Sequence, residues 1–208
     1  MSSFPEKRRF SDGMDGIDII LNEIRRLMEE FFEEYIEQDG YIRALANHLG
    51  VTDVSAVVDI VPEPGFSERT PYPILHFLVT FAKNISEKQA PRIKETLQDL
   101  NLAIAIGKHP SFGSFCYSPE GGQIFLDYRL PVNIEAPGPE LVNIRYYFRT
   151  LYDELDAFSD LIMCVCDNSG ELPGMKDYLD YLDDVMELDD LDERLRILEE
   201  RLKESRHT

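Results

Sequence analysis

The sequence predicts an α+β fold in which helices cover one face of an antiparallel β-sheet, followed by a helical extension at the C-terminus. Three observations support this prediction. The hydrophobic pattern changes from a helical period to alternation after residue 54. Two alternating segments flank a turn that contains Gly121-Gly122, as in a β-hairpin. A long helical pattern then follows a proline-rich loop.

The N-terminal part of the chain is predicted to be helical after a flexible tail of residues 1–12. Apolar residues recur at helical spacing over residues 17–35, and glutamates fill other positions, so this segment predicts a long amphipathic helix. The pattern ends at Gly40, as expected for a helix stop. A short second helix is predicted over residues 41–49, stopped by Gly50.

Two strands and a helix are predicted next. The segment of residues 54–61 is short and rich in β-branched side chains, which favours a strand. In the segment of residues 70–83, successive side chains would point to alternate faces of a strand, and both faces are mostly apolar, as in a strand inside a sheet. Ser86 is predicted to cap the following helix, with Gln89 completing a capping box. That helix is expected to end near residue 106.

A hairpin and a second long helix follow. Apolar and aromatic residues alternate over 115–117 and again over 124–130, with Gly121-Gly122 in the turn between them. The double glycine precedes a strand, whereas a phosphate cradle would need the N-terminal amides of a helix, so a turn is predicted. Inward-facing residues at helical spacing over 141–158 predict the helix.

The composition changes after residue 168, and residues 171–208 are predicted to form an acidic helical extension. Five leucines there follow a 3-4-3-4 spacing, which is a short coiled-coil pattern and a candidate protein-interaction face. These leucines are Leu188, Leu191, Leu195, Leu198 and Leu202. The alternative is that the same face packs back onto its own domain.

The charge balance restricts the partners. The chain of 208 residues has 40 acidic and 21 basic residues, a formal net charge of −19. This charge argues against binding to nucleic acids and to anionic membranes, and it favours basic protein or peptide partners. A hydrophobic content of 43% is sufficient for a core, so an acidic disordered chain is not expected.

The sequence also predicts the compartment. No apolar run is long enough to span a bilayer, and no apolar segment of a secretory signal follows the basic residues near the N-terminus. The three cysteines are an odd number without the spacing of a disulfide framework. A cytoplasmic protein in a reducing environment is therefore expected.

The middle of the chain contains the segment LQDLNLAIAIG, a short strand, the segment SPEGGQIFLDYRLPVN and a long aromatic-rich helix, in this order. Together these features resemble the YbjN-like family, which is similar in fold to type III secretion chaperones. The resemblance covers roughly residues 73–165. It implies a chaperone-like domain over 13–168 in a small, acidic, bacterial protein that is often dimeric and binds other proteins. Lys108-His109-Pro110 and the acidic extension depart from the family pattern. The matching positions are Leu100, Asn101, Gly107, Phe115, Tyr117, Gly121, Gly122 and Phe125 through Leu130.

The candidate chemical motifs favour structural roles. Cys164 and Cys166 point to different sides of a helix, and their spacing differs from the usual C-x2-C zinc pair, so packing in the core is predicted. His76 lies among apolar residues of a strand, where a sheet-surface or hydrogen-bonded position is expected. No GxGxxG, P-loop, GxSxG or HExxH motif occurs. No catalytic, cofactor-binding or metal-binding residue is therefore predicted.

The acidic segment KDYLDYLDDVMELDDLDE has helical spacing and no glycine, unlike a calcium loop, so its carboxylates are predicted to form a solvated face. Tyr178 and Tyr181 in the repeat DYLDYLDD are an alternative docking face, because tyrosine is favoured at interfaces.

The sequence thus predicts a non-enzymatic, cytoplasmic protein-binding module, chaperone-like or a regulatory adaptor, that forms a homodimer. The alternative is a small-molecule sensor or an unrecognised enzyme. Its pocket would lie between the sheet and the helices and would be lined by Tyr117, Tyr128 and Tyr146.

Overall fold

The structure is a computed structural model, which describes residues 16–32, 34–38, 40–63, 72–82, 85–106, 112–166, 175–185, 195–198 and 200. The predicted tail of residues 1–12 lies outside this part of the chain. The helices and strands are, in order, α1 (Gly16–Phe31), β1 (Tyr35–Gln38), β2 (Tyr41–Leu49), β3 (Val54–Glu63), β4 (Ile74–Ala82), α2 (Ala90–Ile106), β5 (Ser114–Ser118), β6 (Gln123–Pro131), α3 (Pro137–Cys166) and α4 (Met175–Val185).

The first helix is shorter than predicted. Helix α1 buries one apolar stripe and ends at Phe31, and Tyr35 begins strand β1 instead of continuing the helix. The last turn of α1 contains no basic residue and carries Glu29 and Glu30, an unfavourable charge for the negative end of the helix dipole. After the helix ends, the chain forms β1, which is held by hydrogen bonds to β2.

The predicted helix over residues 41–49 is wrong, because this segment is strand β2. Ile42, Ala44 and Ala46 are buried, whereas Arg43 and Leu45 between them are exposed, which is the alternation of a half-buried strand. Alanine and leucine favour helices in isolation, but pairing with β3 decides the conformation here. Gly50 follows the strand in a left-handed conformation with φ of 64°.

The sheet has six strands in the order β1-β2-β3-β4-β6-β5, and each neighbouring pair is antiparallel. The predicted strands β3 and β4 and the hairpin β5–β6 are all present, with Gly122 at a φ of 53° in the hairpin turn. The prediction of an α+β fold with helices packed against an antiparallel sheet is therefore confirmed.

One face of the sheet forms the core together with the helices. A buried row crosses the strands through paired residues, and phenylalanines from the sheet, from α3 and from the segment before β5 pack beneath it. The ring of Phe77 meets those of Phe112 and Phe148 edge to face, at 5.2 and 5.8 Å between centroids. The paired residues of the buried row are Ala44, Val58, Val79, Leu126 and Phe115.

Helices α2 and α4 complete the covered side. The side chain of Gln89 accepts a hydrogen bond from the backbone amide of Ser86, which is one half of the predicted capping box. The amide of Gln89 donates a hydrogen bond to the carbonyl of Ser86 instead of its hydroxyl, and α2 begins one residue later. In α4, Tyr178 and Tyr181 are buried, and the Tyr178 hydroxyl donates a hydrogen bond of 2.6 Å to the carbonyl of Ala157 in α3. The docking face suggested for these two tyrosines is therefore wrong. Among the described helices, none is long and apolar enough to cross a membrane.

Candidate functional site

The face of the sheet opposite the helices carries rows of side chains that the strand register defines. One row is mostly apolar and starts at Leu45, which is paired with Val57 of β3. The next row is charged and includes Arg43 paired with Asp59. The apolar row consists of Leu45, Val57, Thr80, Phe125 and Cys116, and the charged row consists of Arg43, Asp59, Leu78, Asp127 and Ser114.

A groove of about 560 Å³ opens where the apolar row reaches the edge of the sheet. It is mostly apolar, and two large apolar side chains remain in contact with solvent there. Ile36 is 49% exposed and Leu45 is 44% exposed. The groove is lined by Glu29, Glu34, Tyr35, Ile36, Arg43, Ala44, Leu45 and Val57.

The groove exists because β1 is much shorter than β2. The four residues of β1 pair with β2 only as far as Ala44. From Leu45 onward, β2 has no strand partner on that side within the described ranges. Unpaired strand edges present backbone donors and acceptors to any extended chain that approaches. The groove therefore combines an open strand edge with exposed apolar side chains.

The open edge has a defined length. The register between β2 and β3 shifts between Ala46 and Leu49, and His48 has a left-handed φ of 57°. Such a bulge bends the strand and ends regular pairing. The adjoining turn is fixed from the core side, because the buried carboxylate of Asp160 accepts hydrogen bonds from the amides of Val51 and Thr52. Regular pairing is thus available over residues 45–47.

The opposite edge of the sheet is covered at Phe115. Strand β5 pairs only with β6, but the side-chain amide of Asn101 in α2 reaches its outer edge. Its Nδ2 donates to the carbonyl of Phe115 and its Oδ1 accepts from the amide of Phe115, both at 2.8 Å. The side chain takes the place of a neighbouring strand at this residue. Among the described residues, the β2 side of the sheet combines free pairing with an exposed apolar groove.

The charge of the groove is acidic. Arg43 is neutralised by Asp59, whose carboxylate accepts two hydrogen bonds at 2.6 and 2.9 Å, and this bond raises the pKa of Arg43. Glu29 and Glu34 are exposed at the rim, and the contact of Glu29 with the hydroxyl of Tyr35 is long, at 3.4 Å. With respect to the described residues, two carboxylates therefore remain available to a basic group in the groove.

The same face of the sheet places His76 between two carboxylates. Its Nδ1 lies 3.0 Å from Glu63, which agrees with the predicted hydrogen-bonded position. Its Nε2 lies 3.4 Å from Asp127, within ion-pair distance, but the orientation does not make a hydrogen bond. The carboxylates approach opposite ring nitrogens and cannot converge on one ion. In the described part of the chain, no group of three His, Cys, Asp or Glu residues could hold a metal.

Nucleophilic chemistry is not favoured near this histidine. Cys116 lies in the apolar row, where burial, and secondarily the charge of Asp127, raise the pKa of its thiol. A thiol with a raised pKa is protonated and a poor nucleophile at neutral pH. The carboxylates next to His76 orient the ring, and this arrangement provides no activated nucleophile.

A second cavity of about 450 Å³ lies between α1 and α3 and contains three arginines. Two of them are already paired. Arg26 bridges Glu23 and Glu30, and Arg145 also contacts Glu23. The arginines of this cavity are thus largely neutralised by acids from the same two helices, so it is a weak candidate for an anion site.

The described leucines of the predicted interaction face have different environments. Leu198 is 3% exposed and packs with the core of its own chain, and Leu195 is 37% exposed. Leu188, Leu191 and Leu202 lie outside the described residues.

The other predicted residues do not form a common site. Cys164 and Cys166 are half-buried, and neither is joined in a disulfide among the described residues. Tyr128 packs against Phe112 with ring centroids 4.3 Å apart, whereas Tyr146 is 65% exposed on α3. Tyr117 lies on β5, with the ammonium of Lys94 5.5 Å from its ring centroid. These three tyrosines do not line a shared cavity in the part of the chain that the structure describes.

The sequence does not predict the groove, because its pattern predicts helices where strands β1 and β2 form. The alternation of Ile42, Ala44 and Ala46 with polar or larger residues was the available signal. No family model, curated protein or solved structure matches the chain. The resemblance to YbjN-like proteins therefore stays a prediction.

Proposed function

We propose that this protein is a non-enzymatic binding module for an extended polypeptide segment that carries apolar and basic residues. The observation that supports this proposal best is the groove beside β2, where residues 45–47 have no strand partner among the described residues and apolar side chains are exposed. A bound segment would extend the sheet by one short strand, a recurring mode of peptide recognition.

The backbone of such a ligand supplies affinity, and its side chains supply specificity. Alternate side chains of an added strand point to the outer face of the sheet, where Ile36 and Leu45 offer apolar contact. Glu29 and Glu34 at the rim favour lysine or arginine at flanking positions and disfavour acids. The net charge of −19 also accelerates the approach of basic segments.

The proposal is tested by fluorescence anisotropy with labelled heptapeptides. One peptide alternates isoleucine with lysine, and a second alternates isoleucine with glutamate. We expect the basic peptide to bind with a dissociation constant on the order of 10 µM, a range in which salt dependence is readily measured. The acidic peptide is expected to bind at least about tenfold more weakly, because repulsion replaces attraction at the rim.

A pair of matched variants locates the site. Leu45→Asp places a charge in the groove and is expected to weaken binding about tenfold. Leu102→Asp makes the same change at a leucine on α2 that is 58% exposed, and it should leave binding unchanged. Equal binding by the two variants, or equal affinity for the two peptides, would contradict the proposal.

We extend the proposal to a chaperone-like or adaptor role, in which the bound segment belongs to another protein. The acidic surface and the α+β fold are consistent with the YbjN-like and chaperone-like resemblance. Self-association and a cytoplasmic location stay predictions. A sensor or enzyme is not favoured, because the three tyrosines expected to line its pocket are dispersed.

A further inference from the structure

Residues 4–10 of the same chain, FPEKRRF, have the chemistry that the groove would select. Lys7, Arg8 and Arg9 are three consecutive basic residues in a strongly acidic chain, and Phe4 and Phe10 flank them. This segment precedes the described residues. The groove offers the complementary features, since carboxylates line its rim and apolar side chains line the rest.

We propose that the segment FPEKRRF binds the groove of its own chain and pairs with residues 45–47 of β2. This inference rests on the proposed function, because it assigns a first occupant to the same groove. Phe4 or Phe10 would contact Ile36 and Leu45, and the basic residues would pair with Glu29 and Glu34.

The segment is long enough to reach the groove. Helix α1 starts at Gly16, and the rim residue Glu29 lies about 20 Å along the helix at a rise of 1.5 Å per residue. An extended chain spans about 3.3–3.6 Å per residue, so Phe10 can reach about 20 Å from Gly16, and Phe4 about 40 Å. The basic residues between them therefore reach the rim within one chain.

Docking within one chain also needs only weak contacts. A tethered segment is present at an effective concentration in the millimolar range, so even a modest intrinsic affinity fills the groove. An external ligand then has to displace the segment. Its apparent affinity is its intrinsic affinity multiplied by the fraction of grooves that are free.

The test uses the full chain and amide hydrogen exchange of residues 45–47, read by NMR. We expect the groove-facing amides in this range to exchange about tenfold faster when Lys7, Arg8 and Arg9 are all changed to Glu, because several surface charge pairs are lost. The charge reversal Glu29→Lys with Glu34→Lys is expected to have the same effect. Both glutamates are exposed, so these changes preserve the fold.

Combining the two sets of charge reversals is expected to restore slow exchange, since the attraction is re-formed with opposite signs. A merely structural role of either segment would not produce this rescue. Glu87→Lys with Glu120→Lys makes the same net charge change at exposed sites away from the groove and should leave exchange unchanged. Equal exchange in the native chain and the triple variant would overturn the proposal, as would protection that rises with protein concentration, which indicates docking between chains.

The peptide titration separates this inference from the proposed function. We expect the groove to be free in the triple variant, so the added basic heptapeptide should bind about tenfold more tightly than to the native chain, the same factor as the change in exchange rate. If exchange is equal but the peptide still binds and Leu45→Asp weakens it, self-docking fails and the binding function stands. If the peptide does not bind either protein, the binding function fails as well.

Discussion

Glu154 is a buried carboxylic acid whose replacement gives a quantitative test of the packing between α3 and the start of β5. It is 1% exposed, its Oε2 accepts a hydrogen bond from the amide of Phe112, and its Oε1 has no partner among the described residues. Burial raises the pKa of Glu154 to about 8, although the Phe112 amide acts in the opposite direction. The change Glu154→Gln keeps an acceptor oxygen and removes the titration.

The direction of the effect follows from proton binding. Between the ordinary pKa of 4.5 and the folded value of about 8, the folded state holds a proton that the unfolded state releases. The free energy of unfolding therefore falls as the pH rises through this window, by about 1.4 kcal/mol per pH unit from this group. At pH 7, the free energy of unfolding is therefore about 3 kcal/mol lower than at pH 4 because of this group. Glu154→Gln should abolish this contribution.

The assay is urea unfolding of the native chain and of Glu154→Gln at pH 5, 6, 7 and 8. The difference between their unfolding free energies should grow by about 1.4 kcal/mol per pH unit in favour of the variant, apart from a constant offset for the buried amide. Glu87→Gln is the control, because Glu87 is exposed and should give a pH profile parallel to that of the native chain. Parallel profiles for Glu154→Gln as well would refute the reasoning.

Other changes test the remaining contacts. Asp160→Asn removes one of the two oxygens that accept hydrogen bonds from the turn at Thr52 and should lower the free energy of unfolding by about 2 kcal/mol; an unchanged urea midpoint would exclude this role. Asn101→Ala exposes the outer edge of β5, so light scattering should detect increased association along with a loss of about 2 kcal/mol. Tyr178→Phe removes the hydroxyl that binds α3, and a loss of about 1 kcal/mol in urea unfolding is expected. The predicted homodimer requires twice the chain mass of 24.0 kDa by light scattering, and a monomer at all concentrations contradicts it.

The sequence predicted those elements whose patterns are long or bounded by clear turn residues. Helix α3 and the hairpin around Gly121-Gly122 belong to this group, because their hydrophobic periods are unambiguous. The sequence predicts helices where β1 and β2 form, because glutamate, alanine and leucine favour helices locally. The conformation of β2 is decided by its pairing with β3, and that of β1 by its pairing with β2, and local propensity does not include these contacts between strands.

The candidate groove was harder to predict than the fold, because its parts meet only through strand register. Ile36 lies beside Arg43, and Leu45 lies beside Val57, through two separate strand pairings. A shift of register by one residue would turn each of these side chains to the opposite face. The bidentate contact of Asn101 with the edge of β5 is likewise a long-range geometric match.

The difference between the two edges of the sheet is consistent with the proposed binding role of the groove. An exposed edge with apolar side chains favours aggregation, and proteins usually protect such edges with bulges, charges or covering elements. Here Asn101 covers β5, and the bulge at His48 ends the accessible part of β2. Within the part of the chain that the structure describes, the short stretch beside Ile36 and Leu45 combines free pairing with exposed apolar surface. A charged residue in place of either side chain would make this edge safer against aggregation, and the apolar surface found here instead is the surface that the proposed extended ligand would cover.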